Sequence, residues 1–496
     1  MSTTAATANE FDVTVPELDK VFIAGEWVTP TGAGTIDVVM PSTEQVVATV
    51  PSPTTADADA AVAAARAAFD QGPWPHMPVE ERARICRTFA DELEARLDAM
   101  NRAWMFESGY TRAHGEMINS GAGSAIWGHA IDIAPTLQWE EIRKNATSEV
   151  LVQHQPIGTV LAILTYNGPV PLMGMKVIPA LLAGCPVVVK FAPESQLTSR
   201  LIMDAAKAAG FPVGVISGLA AELETSKYLV QHPGIDMVHM TGGTAVAKEV
   251  VQQTSQRLAR TALELGGKSP AIIADDVDID EVLATLVPGA TGGCGQVCVA
   301  LSRILVSRSR YDEVVAKLAE AFDAIKVGDP FDSDTDLGPL ANKRSVERTE
   351  RMLAKALEQG AVVAAGGKRP DGLDRGYYFA PTLLRDVTSD MQIAQEEVFG
   401  PITVVIAYDD LDDAVRIAND TPFGLAASVY AQDRDKALEI AKRIRSGGVA
   451  LNLAGCSLTE PFGGVKQSGW GRECGAEGIL EFTELKQILL SGAYSG

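Results

Sequence analysis

The sequence predicts an α/β protein of two packed lobes, each built on a mainly parallel sheet with helices on both faces. Three observations carry that reading. Short apolar strand candidates alternate with amphipathic stretches between about 157 and 265, and a second region of the same rhythm runs from about 269 to 467. The chain of 496 residues is also too long for one simple domain. Strands that are apolar throughout and separated by amphipathic helices belong to sheets buried on both sides.

Taken in order, the first ten or so residues are small and polar and read as a mobile tail. Phe22–Trp27 reads as a short strand with a turn at Gly25, and the Ala-rich Asp57–Phe69 as a helix. A longer helix is expected from about Val79 to Phe106. There Ile85, Phe89, Leu93, Leu97, Met100 and Trp104 recur every three or four positions and form one buried face. Strands of the first βα region are expected at Thr159–Thr165, Pro186–Lys190, Val213–Leu219, Asp236–Thr241 and Thr261–Leu265. Helices fall around 172–183, 195–209, 223–231 and 244–258, with Gly210 at a helix C-cap. The second region offers Pro270–Ala274, Arg303–Ser307, Ile402–Tyr408 and Gly448–Leu453 as strands. With no internal repeat and no low-complexity linker, the lobes should be intimately packed, with the site in the cleft between them. Ligands of such sheets bind beyond the carboxyl ends of the strands, near helix N-termini.

Composition narrows the partners. Hydrophobic residues are 46% and charged residues 21%, as in ordinary globular proteins. A formal net charge of −22 argues against nucleic acid, whose phosphates need a basic face, and against an anionic membrane surface. No apolar run reaches about 18 residues, the least a membrane helix needs. The longest candidate, Val177–Val189, is interrupted by Pro179, Gly184 and Pro186. Six cysteines without a C-x-x-C pair suggest a reducing, cytoplasmic setting. The first basic residue is Lys20, so neither a signal-peptide n-region nor an Arg-rich transit peptide is expected. The histidines are scattered, and no catalytic metal is expected.

Two segments offer chemistry. In Gly295-Gln296-Val297-Cys298-Val299, a cysteine follows a glycine-rich approach and can be held exposed at a loop tip, where its thiolate is a strong nucleophile. A buried, inert cysteine is the plainer reading of any one thiol. In Leu263-Glu264-Leu265-Gly266-Gly267, a carboxylate at a strand end can face a cleft and, desolvated, act as a general base. A solvated strand-end Glu is its plainer reading.

These segments, with five more, resemble the aldehyde dehydrogenase superfamily across about residues 20 to 490. Tyr166-Asn167-Gly168-Pro169 stands where the family has its oxyanion asparagine, and Val188-Val189-Lys190 is similar to its cofactor-ribose lysine segment. Thr241-Gly242-Gly243-Thr244 is similar to its pyrophosphate turn, and Glu396-Glu397-Val398-Phe399-Gly400-Pro401 to its nicotinamide-ribose segment. Pro461-Phe462-Gly463-Gly464-Val465-Lys466-Gln467-Ser468-Gly469 matches a late glycine-rich segment. Departures are Tyr166 and Gly168 in place of Trp and a bulky residue around Asn167, Gly243 for Ser, Ala247 for Gly, and Pro193 where Glu is common.

The resemblance implies a Rossmann-like parallel-sheet NAD(P)-binding domain (1–132 and 157–268) lacking the G-x-G-x-x-G fingerprint. It further implies an α/β catalytic domain (269–467) and a small β oligomerisation extension (133–156 and 482–496). The implied activity is non-acylating oxidation of an aldehyde to the acid. Cys298 would be the nucleophile, Glu264 the general base, Asn167 an oxyanion donor and Lys176 a proton relay. Thr165, Tyr166, Lys190, Pro193, Glu194, Gly242, Gly243, Leu265, Glu397 and Phe399 would line the cofactor. NAD should be preferred and NADP accepted, because Pro193 cannot repel a 2′-phosphate, Glu194 is next in line, and no extra Arg is expected beside Lys190. Gly168, Pro171, Leu172, Val297, Val299, Gly455, Cys456 and Phe462 would form the pocket for a medium or large uncharged aldehyde. A homodimer or homotetramer is implied, and Cys294 is read as passive rather than a resolving thiol. Two alternatives stay open: a catalytically silent relative that keeps the fold, and a coenzyme A-dependent acylating enzyme, which Glu264 disfavours.

Overall fold

The computed structural model describes residues 13–144 and 148–490. The expected tail therefore lies almost wholly outside the described residues, as does the end of the 482–496 segment. Among the described residues no helix is long and apolar enough to cross a membrane.

An eight-stranded sheet underlies the first lobe. Its five central strands are parallel, in the order Arg260–Glu264, Met237–Thr241, Val160–Ile163, Val187–Phe191, Ile216–Ala220. The hairpin Val21–Ile23/Glu26–Val28 closes one edge antiparallel, and Gly469–Trp470 closes the other against Arg260–Glu264. The turn expected at Gly25 is a hairpin turn with Ala24 and Gly25 both at positive φ, 56° and 91°. A seven-stranded sheet underlies the second lobe, in the order Val362–Ala365, Thr382–Arg385, Ile402–Tyr408, Arg303–Ser307, Pro270–Ile273, Ala426–Tyr430, Gly448–Leu451. Only its first pair is antiparallel. A third, antiparallel sheet joins Thr483–Leu490, Glu149–Pro156 and Glu140–Lys144.

The long helix expected over 79–106 is two helices, Val79–Glu94 and Leu97–Ser108. Apolar spacing runs straight through the break, because Leu93 and Leu97 keep a four-residue interval. The break is held by Arg96, which bonds Glu92 behind it and Asp204 on the helix Gln196–Ala209. The segment expected as one helix over 172–183 is a π-turn, Met173–Val177, followed by Ile178–Ala183. Gly184 ends it at φ 95°, and Gly210 ends Gln196–Ala209 at φ 73°.

The chain crosses between the lobes immediately after Glu264. Leu265–Ser269 runs from the edge of the first sheet into Pro270–Ile273 at the heart of the second. Arg303, fully buried, ties this crossing down: Nε donates to the Lys268 carbonyl (2.9 Å), Nη1 to Ile417 O and Nη2 to Ala418 O (both 2.8 Å). A charged side chain survives there because its donors find carbonyls.

Candidate active site

The cysteine segment begins where the helix Ile279–Thr291 ends. Gly293, Cys294 and Gly295 follow with φ of 58°, 57° and 66°, three successive left-handed residues. Glycine adopts that conformation freely and cysteine does not. Cys294 is held there by donating its thiol to Gly338 O (3.0 Å), deep in the protein. A Cβ on Gly295 would sit 2.3 Å from Gly400 O, so the loop lies directly on the second lobe.

Gln296 then locks the loop: its Oε1 accepts from Tyr166 Oη (3.2 Å) and Ala341 N (3.1 Å), and its carbonyl accepts from Asn167 Nδ2 (3.0 Å). Thr165 Oγ1 donates to Asn167 Oδ1 (2.7 Å) and fixes which way the amide faces. One Asn167 N–H thus holds the loop and the second remains to be given. Trp104 Nε1 donates to Tyr166 O (2.8 Å) and anchors the same segment from behind.

Cys298 is half-buried rather than exposed at a tip. Its carbonyl packs so closely on Gly267 that a Cβ there would lie 2.5 Å away. Burial pushes the thiol well above its ordinary range, and the negative charges of Glu397, Glu264 and Glu473 add to the push, as does the Cys456 thiol. The resting group is a thiol that needs a base.

Glu264 ends its strand with the side chain buried, and neither carboxyl oxygen has a hydrogen-bond partner among the described residues. Burial raises its proton affinity well above the carboxylate range, and the Glu473 charge raises it further. Lys176, Arg472 and the facing Gly464 N–H pull the other way without prevailing. Lys176, on the π-turn, is fully buried and pairs through Nζ with Glu473 Oε1. His239 Nε2 lies 3.2 Å from the same oxygen. Burial opposes charge on Glu473, but Lys176 and His239 outweigh it and hold this carboxylate down, to about 2. Sequence reasoning missed both Glu473 and the place of His239. A lone histidine inside the otherwise apolar Met237–Met240 run was the available signal.

The residues expected to hold the cofactor gather along the carboxyl ends of the first sheet. Lys190 lies at the end of Val187–Phe191, its ammonium pushed down to about 8 by burial and supported by Glu194. Pro193 opens the short turn Pro193–Ser195. Glu194 Oε1 accepts from Asn342 Nδ2 (3.1 Å) and Arg344 Nη2 (3.0 Å). Helix Lys343–Glu358, far along the chain, thus brings an arginine to Glu194.

Gly243 caps the helix Thr244–Thr254, and a Cβ on it would meet nothing within 4 Å. Gly242 N donates to Glu264 O (3.1 Å), tying the turn to the strand Arg260–Glu264. Thr241 Oγ1 beside them is buried and has no partner among the described residues. An open helix N-terminus with an unpaired hydroxyl suits a dinucleotide's phosphates.

Glu397 Oε1 accepts from Gly267 N (3.0 Å), and a Cβ on Gly266 would lie 2.2 Å from Glu397 Oε2. Phe399 is held at φ 50° by Arg348, which donates to Val398 O (2.5 Å) and Phe399 O (2.9 Å). Its ring meets the Tyr166 ring edge-on at 6.2 Å. Leu265 is buried at the strand end, its N–H on Ser468 O (3.0 Å).

Of the expected pocket residues, Gly455, Cys456 and Phe462 line a cavity of about 490 Å³ with Leu453, Ser457 and Gly463. A Cβ on Gly463 would lie 2.6 Å from Glu264 Oε1, so this cavity wall abuts the buried carboxyl. Leu172 and Phe462 share the core cluster against which Cys298, Val299 and Cys456 pack. Gly168 and Pro171 are buried beside one another. Val297 instead lines a crevice with Glu397 and Phe399, on the cofactor side. A second cavity of about 410 Å³ lies behind the cysteine loop, lined by Tyr110, His114, Pro288, Gly292 and Cys294 among others, and includes none of the expected site residues.

The model of the aldehyde dehydrogenase family matches residues 27–488. A geranial dehydrogenase of Castellaniella defragrans is 37% identical over 473 residues, covering 95% of this chain and 98% of that protein. A crystal structure of a Mycobacterium tuberculosis aldehyde dehydrogenase complexed with NAD+ superposes with a TM-score of 0.95 at 40% identity, covering 97% and 100% of the two chains. A mutant of aldehyde dehydrogenase C from Pseudomonas syringae, in complex with NAD+ and octanal, gives 0.91 at 36% identity, covering 96% and 98%.

Proposed function

Since the chain belongs to the aldehyde dehydrogenase family, we propose that it oxidises a medium or large uncharged aldehyde to the carboxylic acid with NAD, through Cys298. The observation that carries this is the meeting of a half-buried thiol, a spare amide N–H and, where the first sheet gives way to the second, a buried carboxyl with no hydrogen-bond partner among the described residues.

Thr165, Tyr166, Lys190, Glu194, Gly242, Gly243, Leu265, Glu397 and Phe399 would hold the dinucleotide, with Pro193 shaping the turn at the adenosine end. Bound there, NAD supplies the acceptor for the hydride that leaves the substrate carbon. Cys298 Sγ bonds that carbon as its own proton passes to a base. The carbonyl oxygen takes the negative charge and is met by the free N–H of Asn167 and the backbone N–H of Cys298. Loss of hydride leaves a thioester on Cys298. Glu264, with its raised proton affinity, takes a proton from water as the water oxygen bonds the acyl carbon. The carbon–sulfur bond then breaks, and the acid and the free thiol are released. Lys176 and Glu473 form the buried pair through which the Glu264 proton leaves.

The lining of the larger cavity carries no charged side chain, which favours an uncharged substrate. The name of the Castellaniella relative and the octanal in the Pseudomonas complex support the same class. Gly168, Pro171, Leu172 and Val299 would shape the acyl side and Val297 the boundary with the cofactor. Residues 1–132 and 157–268 would act as the cofactor domain, 269–467 as the catalytic domain, and the third sheet as the oligomerisation extension of a homodimer or homotetramer. Six free thiols suit a reducing, cytoplasmic setting.

The test is NADH formation, followed by absorbance, from NAD and a panel of aldehydes. Apolar aldehydes should lead charged ones. No NADH from any aldehyde would sink the proposal.

A further inference from the structure

His239 lies in the middle of the first sheet, on the strand Met237–Thr241, and is 1% exposed. Its in-register neighbours are Ala162 on one side and Ala262 on the other. Two alanines leave room for an imidazole on that face. Successive side chains of a strand alternate between faces, so Ala262 and Glu264, two residues on, share the face on which His239 stands. The ring packs on Phe482 at 5.0 Å between centroids. Its Nε2 is 3.2 Å from Glu473 Oε1, close but not aligned as a finished hydrogen bond, and Nδ1 has no partner among the described residues. Glu473 Oε2 is unpartnered as well.

A buried imidazole whose one near polar partner is Glu473 is costly unless that contact is used. The groups facing it are few and identifiable. Lys176 comes from the π-turn, Glu473 from the loop before the helix Gly475–Leu480, and Glu264 from the neighbouring strand. Arg472 and Cys474 flank Glu473 in sequence. Lys176 and burial keep the ring neutral, so the ring has one N–H to give. Glu473 is the carboxylate within its reach.

We propose that His239 is a positioning residue for the hydrolytic half of the reaction: its Nε2–H secures the Glu473 carboxylate beside Lys176, so that Glu264 faces a fixed negative charge and takes the proton of the attacking water. This rests on the reading given under Proposed function. The anion held on Glu473 raises the proton affinity of Glu264. A second donor on Glu473 fixes that anion beside Lys176 and facing Glu264, which is then the stronger base. Without that donor the carboxylate is free to turn away, Glu264 loses proton affinity, and water is activated less well.

The test compares His239→Gln, which keeps an N–H donor, with His239→Met, which fills the space without one. For His239→Met, kcat should fall about tenfold and its acid limb should move about one unit to lower pH, the effect of one lost hydrogen bond to a charged group. The first turnover of NADH and the KM for NAD should stay within about twofold. His239→Gln should recover most of the kcat and the original limb. Identical Gln and Met profiles, or a Met variant with the wild-type acid limb, would overturn the inference, as would equal loss of the first turnover in a variant of wild-type Tm. A wild-type protein that makes no NADH overturns the proposed function itself, whereas an active wild type with indifferent His239 variants overturns only this assignment.

Discussion

Cys298 as it rests is a poor nucleophile, since burial and three carboxylates oppose its ionisation. Alkylation by iodoacetamide without cofactor should be slow at pH 7 and rise about tenfold per pH unit to pH 9, following the thiolate fraction. A plateau below pH 8 would show that the carboxylates exert less influence than their positions imply. Cys298→Ala should abolish turnover while NAD still binds, as titration calorimetry can verify. Asn167→Ala removes an oxyanion donor, a loss of about 3–4 kcal/mol in the transition state. It also frees Gln296 O; a drop in kcat under tenfold would take Asn167 out of that role. At the far end of the cofactor cleft, the Arg344–Glu194 pair offsets the repulsion Glu194 would exert on a 2′-phosphate. NAD should lead NADP by about tenfold in kcat/KM, and Arg344→Ala should widen the gap; NADP leading outright would overturn this. Cys298 and Glu264 were legible as candidates in short glycine-punctuated segments, and Asn167 was legible through the family resemblance alone. Glu473, His239 and Arg344 were not, since what defines them is a partner far away in the chain: Lys176 and Glu473 are 297 residues apart.

At the level of elements, strands read well and helix interiors less so. Every expected strand of the two βα regions is present, with ends shifted by up to three residues, because an apolar run bounded by turns is a local signal. The hairpin Thr35–Met40/Gln45–Pro51 was missed, its strands being half exposed and of mixed polarity. The break at Arg96 and the π-turn that presents Lys176 were invisible because each preserves apolar spacing. The crossing from Glu264 to Ser269 is where elements meet the site most tightly. Gly266→Ala would drive a methyl into the Glu397 carboxylate. The expected result is a KM for NAD raised several-fold and about 1–3 kcal/mol of lost stability. An unchanged KM would show that Glu397 can withdraw without consequence.

Over the whole molecule, two buried histidines contribute to the acid side of the stability curve. Burial holds His114 and His239 down to about 4, and Lys176 adds to this at His239. Both are neutral in the fold and free to charge when unfolded. Their stabilising contribution is therefore full above the ordinary histidine range and is lost as pH falls from about 6.5 towards 4, on the order of 3 kcal/mol each. Tm should drop through that window, and His114→Phe should flatten part of the drop; a Tm constant from pH 6.5 to 4.5 would contradict it. The third sheet exposes Ile142, Leu485 and Leu489 on its outer strands. Uncovered apolar edges of that kind invite pairing, so light scattering should report a dimer or tetramer, and a monomer mass would refute the assembly.

The short strand Gly469–Trp470 has a consequence for how the chain is made. It closes the edge of the first sheet against the strand that ends in Glu264, yet it is encoded about 200 residues later. A ribosome delivers the chain from its N-terminus, so the first lobe stands with an open edge throughout synthesis of the second. That edge is the one bearing Glu264, the proposed general base. The proposed chemistry therefore waits on Gly469–Trp470, and a chain stalled before Gly469 leaves an open sheet edge for the chaperones to cover.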